Sequence, residues 1–254
     1  MTSRKVLITG AASGIGRVIA EAFLADGDEV HVCDASPDAI IEFLSANPSA
    51  TATQANVADT KDVDGLFETV DSLSILINNA GISGPSAAVE DVASEAWDDC
   101  IAVNLSGAFY MTHRAVPLMK KAKGGCIINM SSSAGLFGTP MRSPYAASKW
   151  GLIGLTKTWA MELGPHNIRV NAVCPGCVDG PRIDGVIERD AAKRGVEPQE
   201  IRDVYQRQSS MRRFISPQEI ADAVVFLASD KARNISGQAL SVDGHTETLA
   251  NWLD

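Results

Sequence analysis

The chain has 254 residues, 45% of them hydrophobic and 21% charged, and 22 Lys and Arg stand against 31 Asp and Glu for a formal net charge of −9. This length and apolar share fit one domain with a large core and exclude collagen-like or disordered chains. The acidic balance repels phosphate backbones and anionic headgroups, so neither nucleic acid nor a membrane surface is expected as a partner.

Short apolar runs alternate with longer helical patterns along the chain. Strands are predicted at 5–9, 29–33, 51–55, 73–77, 126–130, 168–173 and 239–242, and helices at 15–25, 61–72, 105–121, 145–163 and 217–229. Several strands are apolar almost throughout, as expected for strands covered by helices on both faces. The reading is therefore a single α/β domain, a Rossmann-type doubly wound parallel sheet of seven strands. No repeat or Pro, Gly and Ser-rich linker marks a second domain. The charged, helix-prone segment 181–213 follows the sixth strand, where an insertion covers the ligand crevice, and it is read as a substrate lid. The other reading is a solvated helix pair with no role in binding.

The apolar run after Met1 to Lys5 is too brief for a signal-peptide core, and none reaches the ~20 residues of a membrane span. Five cysteines, Cys33, Cys100, Cys126, Cys174 and Cys177, form an odd set in a chain that needs no staples. Reduced thiols and a cytoplasmic location are expected.

Directly after the first strand comes Thr9-Gly10-Ala11-Ala12-Ser13-Gly14-Ile15-Gly16, opening the first predicted helix. Glycines there allow backbone angles closed to other residues and let a pyrophosphate approach the helix N-terminus. Asp34, 18 residues after Gly16, stands where a ribose-binding acid is expected. A carboxylate accepts hydrogen bonds from the ribose hydroxyls and repels a 2′-phosphate, which favours NAD over NADP as cofactor. Asp34 also suits a cap on the turn before Pro37, and Arg17 either crosses the phosphates or faces solvent.

The spacing G-x3-G-x-G, with Asn78-Asn79-Ala80-Gly81, Tyr145-Ala146-Ala147-Ser148-Lys149 and Pro175-Gly176 in order behind it, resembles the short-chain dehydrogenase/reductase family over nearly the whole chain. The resemblance implies cofactor contacts from Gly10, Ser13, Gly14, Ile15, Gly16, Asp34, Asn56, Val57, Asn78, Ala80, Gly81, Pro175, Gly176 and Val178, together with Tyr145 and Lys149. In Asn56-Val57 an asparagine replaces the family's usual adenine-binding aspartate, and Asp59 competes for that role. Gly180 stands where the family often has a threonine, and Arg182 is a candidate to replace its grip.

Tyr145 and Lys149 are four residues apart, one turn of helix on the same face. An ammonium there favours the phenolate and moves a phenol from near pKa 10 toward the working range. Chemistry alone leaves Ser131, Ser132 and Ser133 open as holders of the substrate oxygen. The family's spacing selects Ser132, and it implies that Asn104 bends its helix and links the lysine to a proton relay. Asn104, Ser132, Tyr145 and Lys149 form the implied catalytic tetrad. Taken singly, the four residues also read as a cap, a turn, a core aromatic and a solvated charge.

His31, His113, His166 and His245 show no ligand spacing, so no metal is expected. Cys174-Pro175-Gly176-Cys177 spells a redox motif but overlaps the family's post-strand loop and is discounted.

The implied function is an NAD-dependent oxidoreductase that interconverts a secondary alcohol (a sugar, polyol or hydroxy acid) and its carbonyl. An NADPH-dependent ketoreductase is the alternative, and a silent nucleotide-binding scaffold comes last. Arg142 and Arg182 both lie close to the reacting centre in sequence, favouring an anionic small-molecule substrate. The family's usual tetramer implies a homotetramer, or a homodimer, through 105–121 and 145–163, whose Trp150, Leu152, Leu155 and Trp159 are apolar, with 247–254 and its Trp252 packing on a neighbour.

Overall fold

The computed structural model describes residues 3–250. Seven strands, β1 (Lys5–Thr9), β2 (Glu29–Asp34), β3 (Thr51–Gln54), β4 (Ile75–Asn78), β5 (Gly125–Met130), β6 (Ile168–Pro175) and β7 (Ala239–Val242), form one parallel sheet in the order β3-β2-β1-β4-β5-β6-β7. Between them run α1 (Gly14–Ala25), α2 (Pro37–Ala46), α3 (Thr60–Glu68), α4 (Ser94–Ile101), α5 (Gly107–Lys121), α6 (Ser143–Leu163), α7 (Pro181–Arg194), α8 (Pro198–Arg207) and α9 (Pro217–Ala228).

Successive side chains of a strand point to opposite faces, so near-continuous apolar strands feed two cores at once. Val6, Ile8, Ile75, Ile77 and Ile128 pack against Ile19 and Phe23 of α1, Phe43 of α2 and Val224 of α9. Leu7, Leu76 and Ile127 face the other way, onto Leu66 of α3, Met111 and Met119 of α5 and Trp159 of α6. All four residues of β4 are buried, whereas the edge strands β3 and β7 are partly exposed.

The seven predicted strands are all present, with ends shifted by a residue or two. The predicted helix 61–72 stops at Glu68 because the Thr69 hydroxyl donates to the Leu66 carbonyl at 2.8 Å, satisfying a terminal acceptor. The predicted helix at 105 begins later for a different reason. Residues Ala102–Ser106 form one π turn joining α4 to α5, with Asn104 inside it.

The segment after β6 is the helix pair α7 and α8, with a small core of its own built on Ile187, Ala191 and Ile201 and flanked by Phe214. Its base is pinned where the Ile215 N–H donates to the Cys177 carbonyl at 2.9 Å and the Asp179 N–H to the Ile215 carbonyl at 2.8 Å. The following segment is strapped down too, since the Glu247 N–H donates to the Gln208 carbonyl at 2.8 Å. Trp252 lies outside the described residues. On the helices expected to meet a partner, Leu152 and Trp159 belong to the interior of this chain, while Trp150 and Phe109 are exposed. Among the described residues no helix is long and apolar enough to cross a membrane.

Candidate active site

The strand order reverses between β1 and β4, and the loops leaving these two strands open a crevice at their carboxyl ends. Thr9 and Asn79 staple the two loops together. The Thr9 hydroxyl accepts the Asn79 and Ala80 N–H groups at 3.0 and 2.9 Å, and the Asn79 amide donates to the Thr9 and Gly10 carbonyls at 3.0 and 2.8 Å. Both lie in motifs marked in the sequence but were given no role there, because that role depends on a contact some 70 residues apart along the chain. Asn78 points elsewhere. Its amide is buried and donates to Thr112 and Asn129, in a polar ladder that continues to Thr156.

The glycines of the turn serve separate needs. Gly10 has φ +60°, and a Cβ there would lie 2.8 Å from the Ala80 Cα; at Gly16 a Cβ would fall 2.4 Å from the Asn79 side-chain nitrogen. Gly14, at φ +57°, has nothing within 4 Å of where its Cβ would stand. Ser13 precedes α1 in extended backbone with its hydroxyl making no cap bond, and the first turn of α1 carries no acid. Open, donor-rich space at a helix N-terminus fits a pyrophosphate. Gly10→Ala is expected to destabilise the protein by about 2 kcal/mol or more, from a left-handed backbone and the clash with Ala80. The melting temperature in scanning calorimetry checks it.

Asp34 ends β2 beside this turn. One carboxylate oxygen accepts the Ala12 N–H and the other the Ser36 N–H, both at 3.1 Å, so the group both holds the turn and braces the start of α2. Each oxygen keeps a lone pair for a ribose hydroxyl. Arg17 is turned away from the phosphate space by Glu21 and Glu42, at 2.9 and 2.8 Å. Asp59 caps α3 through the Lys61 N–H, and the Asn56 side-chain carbonyl accepts from the Ala58 N–H at 3.0 Å, keeping its second lone pair. Val57 is buried against Gly107.

The four residues of the implied tetrad come from the π turn, the loop after β5 and α6 onto one edge of the sheet. Asn104, held by the π turn, clasps the backbone of Ile82, accepting its N–H at 2.8 Å and donating to its carbonyl at 3.0 Å. It also donates to the Ser148 hydroxyl, which donates to the Tyr145 carbonyl. Lys149 is buried; its ammonium donates to the Met130 carbonyl at 2.8 Å and lies 5.6 Å from the centre of the Tyr145 ring. Gly81 sits close to Asn104, whose side-chain oxygen would stand 3.2 Å from a Cβ there. Ser132 follows β5, its hydroxyl accepting the Ala134 N–H and lowering the pKa of the Tyr145 phenol. Neighbouring Ser131 is spent on the Lys149 carbonyl, which separates it from Ser132 on structural grounds.

Burial pushes the Tyr145 phenol up, but Lys149, Arg182, the Ser132 hydrogen bond and Arg142 outweigh it and hold the phenol below its ordinary value. Burial brings the Lys149 ammonium down, with Arg182 adding to it against the pull of Tyr145. The guanidinium of Arg142 lies over the Tyr145 ring, 5.0 Å from its centre, and donates to the Ser83 carbonyl at 2.8 Å. Gly176 packs against Asp243 so closely that a Cβ would come within 2.8 Å. Val178 bridges Ile215 at the base of the helix pair. Cys174 and Cys177 are free thiols pushed up by burial to about 11, the reverse of a redox-active pair. Among the described residues no group of three or more His, Cys, Asp or Glu is placed to hold a metal ion.

A family model described as enoyl-(acyl carrier protein) reductase matches residues 10–245. The chain is 37% identical to a 3-oxoacyl-[acyl-carrier-protein] reductase of Thermotoga maritima, over 94% of this chain and 95% of that protein. It is 39% identical to a trans-4-hydroxycyclohexanecarboxylate dehydrogenase of Sinomonas cyclohexanicum, covering 100% and 96%. Among solved structures, an actinorhodin polyketide ketoreductase with NADPH superposes with a TM-score of 0.91 at 32% identity, covering 98% of each chain. An NAD+-bound xylitol dehydrogenase gives 0.91 at 29%, covering 95% of this chain and 98% of the other. With the glycine turn, the Asn-Asn-Ala-Gly loop and the Tyr145–Lys149 helix in place, the chain belongs to the short-chain dehydrogenase/reductase family, an oxidoreductase that uses a nicotinamide cofactor and acts on CH–OH groups.

Proposed function

We propose that this oxidoreductase is an NAD-dependent dehydrogenase that interconverts a small secondary alcohol, such as a sugar, polyol or hydroxy acid, and its carbonyl. The observation that carries the choice of cofactor is the Asp34 carboxylate, fixed on the Ala12 and Ser36 N–H groups beside the phosphate-binding turn. A 2′-phosphate at that point would face a like charge, and Arg17, the basic residue beside the turn in sequence, is engaged by Glu21 and Glu42. The 3-oxoacyl reductase relative and the NADPH-bound ketoreductase favour a second reading, an NADPH-dependent reductase. Initial rates with NAD and NADP, and with NADH and NADPH, across sugars, polyols, hydroxy acids and 3-oxoacyl compounds separate the two. Turnover with NADP(H) alone would overturn the NAD reading.

The cofactor would rest with its phosphates at Ser13, Gly14 and Ile15, its adenosine ribose at Asp34, its adenine beside Asn56 and Val57, and its nicotinamide end near Lys149, Pro175, Gly176 and Val178. When bound, it supplies the hydride acceptor or donor at its nicotinamide ring. Ser132 holds the substrate oxygen. Tyr145 removes the proton from the substrate hydroxyl during oxidation and returns one during reduction. Lys149 and the two arginines make its phenolate accessible, while Asn104 fixes the backbone around Ile82 and the first turns of α6.

A pH dependence follows from the direction of the Tyr145 shift. Oxidation needs the phenolate, so its kcat rises with pH and levels off above the lowered phenol pKa; reduction needs the phenol and falls through the same value. Removing a cation raises that pKa. Arg182→Gln is expected to move both inflections to higher pH, and kcat–pH profiles in the two directions check it. We assign the protein to the cytoplasm as a homotetramer or homodimer, with exposed Trp150 and Phe109 on the helices facing a partner.

A further inference from the structure

In a chain with a net charge of −9, three cations converge on one phenol, because Lys149, Arg182 and Arg142 all act on Tyr145. Lys149 alone does not offset the burial of the phenol, so the two guanidinium groups contribute to the shift, and Lys149 feels Arg182 as repulsion. Elsewhere Arg4, Arg17, Arg114 and Arg202 have each found a carboxylate. Among the described residues neither Arg142, Arg182 nor Lys149 lies within ion-pair distance of one. Like charges gathered without a counter-charge disfavour one another and favour an anion that arrives.

Arg142 carries the clearest sign of an absent partner. Its Nε is buried with no hydrogen-bond partner, although Nη2 is anchored on the Ser83 carbonyl and the plane is braced on the Tyr145 ring. Buried donors of this kind are ordinarily satisfied, and a guanidinium fixed at two points is pre-organised for a planar anion. Arg182 lies in the first turn of α7, exposed and with its charge felt at Tyr145.

We propose that Arg142, assisted by Arg182, binds a carboxylate on the substrate, so that the alcohol oxidised at Tyr145 belongs to a hydroxy acid. This rests on the dehydrogenase reading of the same site and narrows it to acidic substrates. The cofactor's phosphates are a separate matter, because their cradle is the glycine turn at Ser13 and Gly14, with open space of its own.

The test measures binding without turnover, so that it stands apart from the proposed activity. Cyclohexanecarboxylate and cyclohexanecarboxamide, which carry no hydroxyl to oxidise, are titrated by calorimetry into enzyme saturated with NADH, so that the phosphate cradle is already filled. The wild type is expected to bind the carboxylate about tenfold more tightly than the amide, with the preference shrinking as salt is added. Arg142→Gln is expected to abolish the preference, Arg142→Lys to restore part of it, and Arg182→Gln to reduce it by a smaller factor. Far-ultraviolet circular dichroism and a retained NADH affinity establish that each variant is folded. Equal affinity for the two probes in the wild type overturns the proposal. So does a preference that survives Arg142→Gln, or one lost in Arg182→Gln alone. A separate screen for NAD reduction by hydroxy acids and their neutral amides tests the activity; failure there with carboxylate preference intact strikes the dehydrogenase reading and leaves the anion site standing.

Discussion

Tyr145→Phe is expected to lower kcat for alcohol oxidation by about 10²–10⁴-fold, the range that a well-placed general acid or base contributes. Phenylalanine keeps the ring on which Arg142 rests and removes only the hydroxyl. Cofactor affinity, read from NADH fluorescence, is therefore expected to stay within about threefold, a change of under 1 kcal/mol. The residual rate of the variant should also be independent of pH, because the titrating group that shapes the wild-type profile is gone. Undiminished turnover would show that some other group moves the proton, and Lys149, whose ammonium donates to the Met130 carbonyl, would then need a new account.

Asp34→Asn is expected to collapse the discrimination between NAD and NADP. Two unit charges about 4 Å apart repel by about 1 kcal/mol in water and about 4 kcal/mol at a protein surface. A wild-type preference for NAD of about one hundredfold in kcat/KM lies inside that interval. Asparagine keeps the shape and an acceptor oxygen for the Ala12 or Ser36 N–H but carries no charge. NADP should therefore gain at least about tenfold relative to NAD. Because Asp34 also holds the glycine turn, NAD itself is expected to bind somewhat less well, so the ratio of the two specificity constants, and not either alone, is the quantity to measure. Equal use of both cofactors by the wild type would remove the basis for the NAD reading.

Much of this architecture was legible in the residues. Strands that must be apolar on both faces, such as β4, and helices with one apolar stripe leave the doubly wound sheet as the arrangement that buries both. The 3.6-residue repeat places Tyr145 and Lys149 on one helix face without any knowledge of what surrounds them. Local periodicity carries these features, so the sequence by itself determined the sheet, the glycine turn and the order of the site residues.

Partnerships across the sheet were decided only by the tertiary structure. The adjacent asparagines 78 and 79 look alike in sequence, yet the first is buried on Asn129 and Thr112 while the second staples the glycine turn. Arg17 lay beside the phosphate turn in sequence and was drawn off by Glu42, whereas Arg142 found the Ser83 carbonyl and no carboxylate. Asn104 sits in a π turn that no spacing rule marks. The physical reason is common to all of them. A polar side chain takes the best partner within a few ångströms, and for residues 25 to 70 positions apart that partner is set by how strands and helices pack rather than by the chain between them.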